Sequence, residues 1–88
     1  MPTLKGLPGM AQDIECEFFQ EAHEVAAIIE KGKAATEAGE NGAINVYKDD
    51  AGFICCELQV FCSQQDFKTF EHLESAMNWI ERNLEIIR

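Results

Sequence analysis

The chain has 88 residues, 47% of them hydrophobic, and sets sixteen Asp and Glu against seven Lys and Arg, a net charge of −9. This composition suits one globular domain and is too apolar for a disordered acidic tail. The carboxylate surplus argues against direct nucleic-acid binding, which needs cations to displace phosphate counterions. No apolar run approaches the roughly 20 residues that span a bilayer.

Residues 1–10 contain one Lys and no apolar h-region, so they do not read as a secretory signal. Broken by Pro2, Gly6, Pro8 and Gly9, they read as a flexible leader before a single domain over residues 11–88. The expected compartment is the cytoplasm, with Cys16, Cys55, Cys56 and Cys62 as free thiols. Cys55 and Cys56 are adjacent and would point to opposite faces of a strand. No cysteine has the paired spacing of a zinc site.

Residues 11–31 predict a helix. Ile14, Phe18, Ala22, Val25 and Ile29 recur at steps of four and three, Phe19 and Ala26 widen that face, and Gly32 follows as a stop. Residues 33–42 (KAATEAGENG) are small and polar and predict a connector. Residues 43–48 predict a strand, 49–52 a hairpin turn, and 53–62 a long strand with Ile54, Cys56, Leu58, Val60 and Cys62 on its core side. Residues 63–66 turn the chain, and Phe67 and Lys68 form a brief third strand. Thr69 then caps a helix over 70–87, where Phe70, Leu73, Met77, Ile80, Leu84 and Ile87 make an unbroken stripe. The fold class expected is α+β, a two-layer sandwich in the order helix–strand–strand–(strand)–helix. Both helices would cover one face of a small antiparallel sheet.

Three surfaces could carry function. On the first predicted helix, Asp13, Glu17, Glu21 and Glu24 fall on one side with no base until Lys31, an anionic strip for a basic partner. On the last, Trp79 and Ile86 lie off the stripe with His72 nearby, either as a contact patch or as a broad buried arc under the connector. The outer sheet face bears Tyr47, Phe53, Cys55 and Phe61, to be covered by a second copy or by Leu4 and Leu7 of the leader. His23 and Cys16 share a helix side without an orienting third group, so no catalytic set, cofactor or metal site is assigned.

The order helix, three strands, helix is similar to that of double-stranded RNA-binding domains. The turn that is lysine-rich there reads Phe70-Glu71-His72-Leu73-Glu74 here, which would repel phosphate. Residues 47–84 resemble small antitoxins of the HicB kind through Asp49-Asp50-Ala51-Gly52-Phe53 and the Thr69-led helix. That resemblance implies an acidic protein neutralising a basic toxin.

The expected function is that of a small acidic inhibitor, antitoxin-like protein or adaptor, homodimeric, facing a basic protein surface such as that of a nucleic-acid-binding protein. By analogy, the class is that of stand-alone proteins of phages and mobile elements. The alternative is a small-molecule-binding module with an apolar cavity lined by Phe18, Ile54, Leu58, Met77 and Ile80.

Overall fold

In the computed structural model the described residues are 3–4, 14–61 and 65–88. The chain runs β1 (Thr3–Leu4), β2 (Ile14–Phe18), α1 (Glu24–Glu30), β3 (Ala34–Ala38), β4 (Gly42–Lys48), β5 (Ile54–Val60), β6 (Gln65–Phe70) and α2 (Leu73–Ile87). The six strands form one sheet in sequence order, β1 to β6. All pairings are antiparallel except β2 with β3, which α1 connects as a parallel crossover. The fold is thus α+β with a mostly antiparallel sheet and two helices.

Several expectations are corrected. The helix predicted over 11–31 is, from Ile14 onward, a strand, a turn and a seven-residue helix, while residues 11–13 lie outside the described residues. Ile14-Glu15-Cys16-Glu17-Phe18 alternates apolar and acidic residues, and the strand buries Ile14 and Cys16 while leaving Glu15 and Phe18 exposed. The steps of four linking Ile14, Phe18 and Ala22 are even numbers, so a strand satisfies that spacing as well as a helix does. At the turn the Glu24 carboxylate accepts the Gln20 and Glu21 backbone N–H groups at 3.3 and 2.9 Å, which starts α1 there. Those bonds favour the ionised form and hold the Glu24 carboxyl below its ordinary value.

The connector predicted over 33–42 contains β3. Ala34 and Ala35 are both fully buried, one on each face of the sheet. Their small side chains suit a strand packed beneath α1, although alanine alone favours helix. The helix–three-strand–helix order similar to the RNA-binding domains is therefore not the order found. The brief third strand is the six-residue β6, and α2 begins at Leu73 with His72 at its N-cap, so Thr69 belongs to β6.

The main core joins Val25, Ile28 and Ile29 of α1 and Ala76, Trp79, Ile80, Leu84 and Ile87 of α2 to Ala35, Ile44, Val46, Ile54, Cys56 and Leu58 of the sheet. A second cluster, Ile14, Cys16, Ala34, Tyr47 and Cys55, is buried on the opposite face. The hairpin turn expected at 49–52 is present. Asp49 accepts the Ala51 and Phe53 amides at 3.0 and 2.8 Å, and Gly52 takes φ +93°.

The C-terminus of α2 is clasped by the β3–β4 turn. Asn41 donates its backbone N–H to the Ile87 carbonyl at 2.9 Å and its side-chain amide to the Arg88 carbonyl at 3.1 Å. Arg88 reaches back to the Gln20 carbonyl and to Glu37 Oε2. No helix among the described residues is long and apolar enough to cross a membrane.

Candidate functional site

The residues expected to form one anionic helix face do not share a helix. Glu17 lies on β2, Glu21 in the turn and Glu24 at the first position of α1, while Asp13 lies outside the described residues. Glu17, Glu24, Phe18, His23 and Lys31 still line one shallow groove of about 370 Å³. In it Glu24 is occupied as a turn cap, and Glu17 stands 3.6 Å from the Lys31 ammonium.

The His72–Trp79–Ile86 patch is not formed as a surface. Trp79 is buried against Phe70, with ring centroids 6.4 Å apart, and only His72 and Ile86 are exposed. Of the five residues assigned to an apolar cavity, Ile54, Leu58 and Ile80 are core residues and Met77 is half-buried. Phe18 lies on the other side of the sheet, 68% exposed, because it shares the parity of Ile14 and Cys16. Leu4 pairs with Ile14 in the sheet; Leu7 and Cys62 lie outside the described residues.

The face of the sheet opposite the helices is more instructive. Strand register aligns Phe18 with Thr36, Thr36 with Asn45, Asn45 with Glu57 and Glu57 with Phe67. The result is one transverse row across five strands, about 19 Å long at ordinary strand spacing. The row ends in two exposed aromatic rings, Phe18 at 68% and Phe67 at 44%. Thr36 Oγ1 donates to Asn45 Oδ1 at 2.6 Å, which orients the Asn45 amide and leaves its N–H groups pointing elsewhere. Beside them Asn45, Glu57, Gln59, Gln65 and Phe67 line a depression of about 490 Å³.

Electrostatics mark the same row. Glu57 is half-buried, and desolvation raises its carboxyl above the ordinary value. Among the described residues no base shares this face. Lys48 and Lys68 stand opposite Ile54 and Cys56 and so take the helix-side parity. Lys31 and Lys33 reach Glu17 and Glu15 on that same side.

At the buried end of this face the Cys55 thiol lies 3.6 Å from Asp49 Oδ2 and hydrogen-bonds the Tyr47 hydroxyl. Burial, then Asp49, push the Cys55 thiol up to about 11, so it is a protonated, unreactive thiol at neutral pH. Cys16, Cys55 and Cys56 are all free and buried. Among the described residues no cluster of metal-ligating side chains occurs.

Thr36, Asn45, Glu57 and Phe67 were not identified as site residues from the sequence. Glu57 does interrupt a run of β-formers, but the alignment with Thr36 and Asn45 exists only once the 34–38 strand is recognised. Comparison with protein-family models, curated proteins and solved structures finds no match to this chain.

Proposed function

We propose that the protein is a small acidic binding module of the inhibitor or adaptor type, whose open sheet face receives a basic protein surface. The observation that carries this reading is the Phe18–Thr36–Asn45–Glu57–Phe67 row. A half-buried carboxylate with no base on its face among the described residues is costly to keep ionised, and an incoming Lys or Arg would offset that cost. The exposed Phe18 and Phe67 rings supply apolar and cation–π contact at either end. The net charge of −9 steers a basic partner toward the molecule. Neutralisation of a basic toxin or nuclease is one form such a module takes. The proposed surface is thus the sheet, in place of the helical strip expected from the sequence.

The test is a pull-down from source-cell lysate by the tagged wild-type protein at low salt and at about 0.5 M salt, where screening is strong. A basic protein retained at low salt, released at high salt and absent with Glu57→Lys/Phe67→Ala supports the assignment. Glu81→Lys, on the exposed side of α2, is the control and retains the partner. Capture that survives the Glu57→Lys/Phe67→Ala change in a folded protein overturns it.

A further inference from the structure

The last strand of the sheet has a sequence that complements itself. Among the described residues β6 pairs only with β5, and its other edge faces outward. Antiparallel pairing of two copies about Phe67 would place Phe67 opposite Phe67, Asp66 opposite Lys68, and Gln65 opposite Thr69. One register therefore forms two opposite-charge pairs around a central aromatic pair. A one-residue shift places Asp66 opposite Phe67 and loses both.

The backbone agrees with this register. The Phe67 amide donates to the carboxylate of its own neighbour, Asp66 Oδ1, at 3.0 Å. A side chain thus occupies a hydrogen bond that an adjacent strand would otherwise take, which places the Phe67 N–H on the outer edge. Because backbone groups alternate in direction along a strand, Gln65 and Thr69 face that edge with it. In the Phe67-centred register these three are the hydrogen-bonded positions. Asp66 and Lys68 then fall at the closer, non-hydrogen-bonded positions, where cross-strand charges interact best. Lys68 is exposed and has no ion pair among the described residues.

We propose that a second copy of this chain docks antiparallel on the β6 edge in the Phe67-centred register, continuing the sheet across a two-fold axis perpendicular to it. An axis in that direction leaves the helices of both copies on the same side. Since Phe67 meets Phe67, the row from Phe18 to Phe67 continues without a step into its counterpart on the second copy. The dimer thus joins two candidate binding faces into one. It does not depend on the face having a basic partner.

Charge reversal tests the register. Sedimentation equilibrium of the purified full chain is expected to show a dimer for the wild type. Asp66→Lys and Lys68→Asp each turn both ion pairs into repulsions and weaken the dimer by more than about tenfold. The double variant Asp66→Lys/Lys68→Asp restores opposite charges and recovers the dimer. Circular dichroism of each variant confirms the fold, and Phe67→Pro, which removes the edge amide, provides a second monomeric variant. A wild-type monomer at all concentrations, dimers insensitive to both single reversals, or failure of the folded double variant to recover would each overturn the proposal.

Discussion

Single residues in this protein work under tight local constraint. Gly42 shows it at the point where β4, β5 and the end of α2 converge. A Cβ there would overlap the Gln59 carbonyl oxygen and sit 3.0 Å from the Ile87 side chain. Backbone cannot give way cheaply, so Gly42→Ala is expected to cost about 1–3 kcal/mol, read as a lower thermal midpoint. Gly52, at φ +93° in the hairpin turn, is held by its backbone conformation instead, since nothing crowds it.

Cys56 is constrained through its proton. Burial first, and the neighbouring Cys55 second, push its thiol up to about 12 from an ordinary 9.0. The folded form therefore holds a proton that the unfolded chain releases above pH 9. Its contribution is full below that value and is lost as pH rises toward 12. Cys55 and Tyr47, both raised mainly by burial, act in the same direction. The urea midpoint is expected to fall between about pH 8 and about pH 10.5, and less steeply in Cys56→Ala.

At the scale of elements, α2 shows both what is legible and what is improvable. Its stripe of Leu73, Met77, Ile80, Leu84 and Ile87 is readable because fifteen residues leave one period without a rival. Its start is less so, because Thr69 is a good cap by chemistry yet pairs with Cys55 in the sheet. The actual N-cap, His72, has extended φ/ψ and makes no side-chain capping bond. His72→Ser fits that backbone and is expected to add about 0.5–1 kcal/mol in a thermal melt. At the start of α1 the role of a cap passes to Glu24, whose carboxylate closes the preceding turn. That use of Glu24 explains why an apparent anionic strip is partly structural.

At the scale of the whole molecule, the sheet is asymmetric in a way that composition alone does not reveal. The helices and the strand lysines occupy one side, while Glu57 and the terminal aromatics of its row occupy the other. Among the described residues, Glu57 is therefore left without a compensating base on the open face. Partner capture and edge pairing share Phe67 but otherwise differ, Glu57 of the open face serving capture and Asp66 and Lys68, of helix-side parity, serving pairing. Glu57→Lys alone reports on the row and leaves β6 unchanged, while the Asp66 and Lys68 reversals report on the edge and leave Glu57 in place. Salt-sensitive capture can thus be separated from self-association.

Sequence alone determined the α+β class, the hairpin at 49–52, the core side of β5 and the final amphipathic helix. Each is specified by residues close together in the chain, through period and turn chemistry. Tertiary structure decided the rest. Ile14–Phe18 satisfies both helical and strand spacing until β3 pairs beside it. Ala34–Ala38 becomes a strand because its alanines fit between two packed layers. Trp79 is buried in the core between helices and sheet, with Phe70, nine positions earlier, tilted against it. The candidate row depends on the register of five strands, a relation between distant residues that no local pattern contains.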